Sequence, residues 1–118
     1  MKPIHRITLS QLATNNLKHL SGKTGLSPNV VARFAMLVSF EQPDPPANDL
    51  GQPDLTINQT TLFGDLEPFL MTAFLSAATA DQSEAGSAKL LAAHVARGAA
   101  FLNLRVTNIG DLATFAVK

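Results

Sequence analysis

RITLSQLATNNLKHLSGKTGLSPNVVARFAMLVSF, residues Arg6 to Phe40, decides the fold. Its front end, from Ile4 to Leu9, is rich in β-branched residues and favours an extended segment. Alternation puts Ile7 and Leu9 on one face and Arg6 and Thr8 on the other. Ser10 is placed to cap a helix by accepting from an orphan amide. Leu12, Leu17 and Leu20, with Ala13 beside them, recur near helical spacing. Gly22 and Gly25 frame a turn, where either can take the left-handed conformation that ends a helix. Ser27 and Pro28 restart one, serine as cap and proline at the first position, where it forfeits no hydrogen bond. Val30, Phe34, Leu37 and Val38 mark the apolar face of this second helix, widened by Val31 and Ala35.

Charge divides the chain along the same lines. Residues 1 to 40 hold Lys2, Arg6, Lys18, Lys23 and Arg33 and no acid. Residues 41 to 88 hold eight acids and no Lys or Arg, and residues 89 to 118 hold four basic residues and one acid. A formal net charge of zero therefore conceals segments of +5, −8 and +3. Such asymmetry points to a basic binding face and a separate acidic surface. With 118 residues the chain fits one domain. Hydrophobic residues make up 46% and charged residues only 15%, which has two readings: surface covered in an oligomer or complex, or a compact helical domain with an ordinary apolar surface. Cysteine is absent, which removes disulfides, thiolate chemistry and cysteine metal sites. No stretch approaches the ~18 apolar residues of a membrane span, and the N-terminus lacks the apolar run of a signal peptide. The lack of cysteine is compatible with the cytoplasm, and no membrane partner is expected.

Beyond Phe40, EQPDPPANDLGQPD (residues 41 to 54) holds four prolines and four acids and reads as loop, within an acidic stretch 41–64. Leu55 to Ile57 favour a brief extended piece. Asp65 is a candidate cap for a third helix whose apolar stripe is Leu66, Phe69, Leu70, Ala73, Phe74 and Ala77. Residues 79 to 86 read as a turn. A fourth helix runs from about Ser87 to Leu104, with Leu91, Val95, Gly98 and Leu102 on one face and alanines keeping it thin. A short helix from Thr107, capped by Asn108, would pack back through Ile109, Leu112, Phe115 and Ala116. The fold class is mainly α: a small helical domain with a short N-terminal extended segment, a helix-turn-helix pair, and two to three further helices. The chain is expected to be one unit, a basic module 1–40, an acidic proline-rich loop 41–64 and a helical remainder 65–118.

No catalytic constellation stands out. His5, His19 and His94 fit no metal motif, no phosphate-binding glycine loop occurs, and no nucleophile elbow surrounds a serine. Neither a cofactor nor a metal is expected. His94 and Arg97 have two readings: a polar pair reaching DNA or a partner, or a satisfied half-buried histidine beside an arginine paired with Asp65 or Glu84. The second is favoured, since a single arginine on a helix face usually finds a local partner. The basic N-terminal residues read the other way. A solvated face normally mixes signs, and forty residues without an acid favour anion or nucleic-acid contact by Arg6, Lys18, Lys23, Lys2 and Arg33. Arg33 also shares an apolar helix face, so a structural ion pair is its alternative.

Strand, helix, glycine turn and helix with a basic start resembles a ribbon-helix-helix DNA-binding unit, in which strands of two subunits pair. RITLS, KTGLSPNVVARFAMLVSF and AAHVARGAAFLNLRV together resemble the DndE family of bacterial DNA phosphorothioation systems, over roughly residues 5 to 40 and 88 to 112. Thr24 to Asn29 is the most specific part. The resemblance implies a cytoplasmic homo-oligomer that binds duplex DNA, with a preference for nicked duplex. It also implies a sulfur-transfer subunit and an ATPase subunit as partners. The chain would then hold the backbone break without being an enzyme itself. Two alternatives remain: a ribbon-helix-helix transcriptional regulator reading a palindrome through Arg6, Thr8 and Ser10, and a structural adaptor with no DNA affinity.

Overall fold

The computed structural model describes residues 6–77 and 84–111, with side chains described over 6–74 and 86–111. Expectations for Lys2, Ile4, His5, Ala77, the turn over 79–83 and the packing of Leu112, Phe115 and Ala116 lie outside these residues. The order is β1 (Arg6–Ser10), α1 (Gln11–Thr24), α2 (Pro28–Phe40), β2 (Pro53–Asn58), α3 (Gln59–Phe63), a single 3-10 turn (Gly64–Leu66), α4 (Glu67–Ala77) and α5 (Glu84–Arg105). The fold is mainly α with one two-stranded sheet.

The strand's partner comes from the same chain. β1 pairs antiparallel with β2, setting Arg6 opposite Asn58, Ile7 opposite Ile57 and Thr8 opposite Thr56. The register shifts before Ser10 meets Pro53, an irregularity that suits a residue unable to donate to the ladder. Alternation works as expected: Ile7, Leu9 and Ile57 are buried, while Arg6, Thr8, Thr56 and Asn58 face outward.

Both local helix signals are realised. Ser10 Oγ accepts from Ala13 N, and Gly25 closes α1 with φ +77°. Ser27 Oγ accepts from Val30 N with Pro28 behind it. The proline-rich loop is then drawn onto the first cap: Ser10 N and Oγ donate to the two oxygens of Asp49 at 2.8 and 2.6 Å. Gln11 N donates to Gln52 O. Ser10→Ala removes a helix cap and leaves a half-buried carboxylate short of a donor. It should lower unfolding free energy by about 1–2 kcal/mol, read as a lower urea midpoint at unchanged slope.

α5 is the central element. Ser39 meets His94 and Ala35 meets Gly98, so α2 and α5 run antiparallel. A Cβ at Gly98 would lie 1.8 Å from the Ala35 carbonyl oxygen, a backbone approach that only glycine permits. On the other side Asn103 Nδ2 donates to Asn16 Oδ1 of α1. Leu91, Val95, Gly98 and Leu102 are buried as their spacing implies.

The structure also corrects the sequence reading. α2 is rotated from the expected face: Val31, Ala32, Ala35, Met36 and Ser39 are fully buried, while Val30, Phe34, Leu37 and Val38 form a half-buried rim. The closest approach to α5 selects the small residues. Leu12 is 70% exposed, and Leu66 and Phe69 face outward while Leu70 and Phe74 carry α4 into the core. Asp65 sits inside the 3-10 turn that joins α3 to α4, just after Gly64, whose φ of +57° breaks the helical path. α5 begins at Glu84, so residues 84 to 86 are helix. Asn108 caps the backbone that turns helical at residue 109: its Oδ1 accepts from Asp111 N, and Thr107 donates back to Asp111. Those donors, the Thr107 hydroxyl first, hold the Asp111 carboxyl below its ordinary range. Ile109 is exposed, not packed back.

Candidate nucleic-acid interface

The basic residues of the first module separate into free and engaged groups. Arg6 lies at the exposed start of β1, and Lys18 projects from the exposed face of α1. Neither has a hydrogen-bond partner among the described residues. Lys23 is exposed, but its Nζ donates to the Asn103 carbonyl at 2.8 Å and to Asn103 Oδ1 at 2.9 Å. It therefore sits at the C-terminal turn of α5, where the helix dipole favours a cation. Arg33 is built into the fold. Its Nε donates to Leu62 O at 2.7 Å and its Nη2 to Thr61 O, satisfying carbonyls at the end of α3. A Cβ at Gly64, where φ is +57°, would strike that guanidinium. The sequence offered an ion pair for Arg33; the structure gives it backbone carbonyls instead.

His94 and Arg97 form a buried junction. Arg97 Nε donates to Ser39 Oγ, Nη2 to Ser39 O and Nη1 to Asp44 O, all within 2.6–2.8 Å. Neither Asp65 nor Glu84 is needed, because the end of α2 and the start of the proline loop supply oxygen acceptors. His94 is 2% exposed, deeper than the half-burial expected. Its Nδ1 lies 2.8 Å from Ser39 Oγ. That hydroxyl also accepts from Arg97 Nε, and the imidazole tautomer sets which of Ser39 Oγ and His94 Nδ1 donates in their contact. Nε2 has no hydrogen-bond partner among the described residues, and the ring stands edge-on to Phe40 at 4.8 Å. Burial, then the neighbouring Arg97, lowers its pKa to about 4. Ser39 is wholly buried, so this serine–histidine contact joins α2 to α5 and presents no nucleophile to solvent.

The polar row on β2 escaped sequence reasoning. Thr56 and Asn58 stand beside Thr8 and Arg6, and the two threonine hydroxyls lie 3.1 Å apart. The alternation Asp54, Thr56, Asn58 was the available signal, but its pairing with β1 was not. A shallow cavity of about 160 Å³ opens beside the sheet, lined by Thr8, Asn48, Asp49, Leu50, Lys89 and Ala92. Lys89 thus adds a cation near the ribbon. Arg105 Cζ stacks 3.8 Å from the centre of the Phe101 ring. No cluster able to hold a metal ion occurs among the described residues, and no helix there is long and apolar enough to cross a membrane.

The fold is a small helical domain carrying a two-stranded ribbon, with Arg6 and Lys18 exposed and without partners among the described residues. The chain belongs to the family of the DNA sulphur modification protein DndE, which matches residues 6–108. It is similar to the crystal structure of DndE from Escherichia coli B7A involved in DNA phosphorothioation modification. That similarity is 27% identity with a TM-score of 0.69, over 85% of this chain and 98% of that one. A second DndE crystal structure, of a double glycine-to-lysine mutant involved in DNA phosphorothioation, gives 26% identity and a TM-score of 0.62. It covers 85% of this chain and 99% of that one. No curated protein matches the chain.

Proposed function

We propose that this chain is the non-catalytic DNA-binding subunit of a bacterial phosphorothioation system. It grips the sugar–phosphate backbone, nicked duplex above all, as a cytoplasmic homo-oligomer beside a sulfur-transfer subunit and an ATPase subunit. The observation that carries this reading is the uncompensated charge of the first module, in a chain of the DndE family. Arg6 and Lys18 are exposed and have no partner among the described residues, within forty residues of sequence that contain no acid. Contacts from such groups fall mainly on phosphate, which positions the protein without reading sequence. The absence of cysteine is consistent with sulfur being carried by another subunit.

The test is fluorescence anisotropy on matched intact, nicked and single-stranded DNA across a salt series. Nicked duplex should bind most tightly, with affinity falling steeply as salt rises. Equal affinity for all three would remove the break as the target, and no binding at low salt would remove DNA altogether. Lys18→Glu should weaken binding similarly on every sequence and flatten the salt slope by about 0.9, the share of a single neutralised phosphate. Lys18 is a cleaner probe than Lys23, whose reversal also breaks the hydrogen bonds to Asn103.

A further inference from the structure

We infer that the outward face of the β1–β2 ribbon reads base edges in the major groove, giving this subunit a sequence preference of its own. The inference rests on the DNA-binding reading and goes beyond it, from phosphate to base. Four hydrogen-bonding side chains stand in two facing rungs, Arg6 with Asn58 and Thr8 with Thr56, all exposed. Arginine and asparagine are the side chains that pair bidentately with guanine and with adenine. Both are available here. Arg6 has no partner among the described residues. Asn58 occupies the N-cap position of α3 yet makes no capping bond with its side chain, although asparagine is a favoured cap. Its carboxamide is left facing outward.

The dimensions fit a groove. Successive outward residues on a strand are about 6.6 Å apart, close to two base-pair steps of about 3.4 Å each. Two strands about 5 Å apart enter a groove about 12 Å wide, which admits a two-stranded ribbon. The partner strand lies in the same chain, so one protomer supplies the whole reading face and no second subunit is needed to build it. Of the bonded Thr8 and Thr56 hydroxyls, one keeps a free hydrogen and each keeps a free lone pair. Lys89, across the small cavity from Thr8, is placed to meet a flanking phosphate. Asp54 lies exposed at the far end of β2, where the register shifts, so the Arg6–Asn58 rung is the end that goes deepest. There the charge attracts phosphate, whereas Asp54 repels it.

Selection from a random-sequence duplex pool tests this, followed by anisotropy on the selected duplex and a scrambled control at fixed salt. The wild-type protein should enrich a short motif containing guanine and adenine and bind it at least about fivefold more tightly than the control, the minimum for one bidentate pair. Arg6→Lys keeps the charge and removes the planar fork. It should weaken the guanine preference while leaving the salt slope unchanged; a purely phosphate-binding Arg6 would leave both unchanged. Asn58→Ala should relax the adenine position alone. All three proteins should melt alike, because both positions are exposed. Salt-sensitive duplex binding with no enriched motif would overturn the ribbon inference and leave backbone binding standing. Absence of binding to any duplex would overturn both.

Discussion

Gly98→Ala should melt on the order of 10 °C below the wild-type protein, or fail to accumulate as folded protein. The added methyl would sit 1.8 Å from the carbonyl oxygen of Ala35 and 2.4 Å from its carbonyl carbon. Backbone cannot rotate aside as a side chain can. The two helices must separate, and separation opens the packing of Val31, Ala32 and Met36 along the same interface. Overpacking usually costs about 1–3 kcal/mol, and a clash with main chain belongs at or above the top of that range. Gly22→Ala supplies the opposite sign. Nothing lies within 4 Å of the position where its Cβ would stand, and the residue is helical. It should gain about 0.5–1 kcal/mol from helix propensity. Thermal melts of both variants decide the matter: equal losses would mean that the close α2–α5 approach does not hold in solution.

The second large effect concerns acid. His94 stays neutral in the folded protein down to about pH 4, because burial and then Arg97 oppose its charge. In the unfolded chain an imidazole protonates near 6.5. The folded pKa is the lower one, so protons favour the unfolded chain. Stability from this residue is complete above about pH 6.5, declines as pH falls from 6.5 towards 4, and levels off below. The gap corresponds to roughly 3 kcal/mol. Urea unfolding of wild type and His94→Asn between pH 7.5 and 4.5 isolates the effect. Asparagine keeps an acceptor for the Ser39 hydroxyl but does not titrate. The stability difference between the two proteins should shrink as the solution is acidified. Parallel pH profiles would mean that His94 takes up its proton in the folded state as readily as in the unfolded chain.

What the sequence disclosed was local. Ser10, Gly25 and the Ser27–Pro28 pair act within one helical turn, and each does what its type implies. The inward pair Ile7 and Leu9 was legible because strand alternation needs no knowledge of the partner. The α2 face was misread because periodicity weighs bulk. The largest apolar residues were assigned to the centre, whereas a glycine- and alanine-lined α5 draws the smallest ones closest. Leu12 and Phe69 show the same limit: an apolar residue at helical spacing says nothing of whether another element lies over it. At the candidate interface, Arg6 and Lys18 were legible as unpaired charge. Arg33 and Arg97 were sought among carboxylates, and their partners proved to be oxygens of the backbone and of a serine, which composition does not reveal. The place of Asn58 beside Arg6 was missed since it comes from a pairing across some fifty residues of chain.

That long pairing also governs when the sheet can form during synthesis. β1 waits for β2 before its ladder exists, and the buried sides of α1 and α2 wait for α5, which leaves the ribosome well after them. The segment with the free cations is synthesised early and finished late. A nascent or prematurely ended chain would carry the charges of Arg6 and Lys18 on an unorganised backbone, without a ribbon to present them. The chain's own order of synthesis thus delays its two-stranded sheet, and the closing of its core by α5, until nearly the whole chain has emerged.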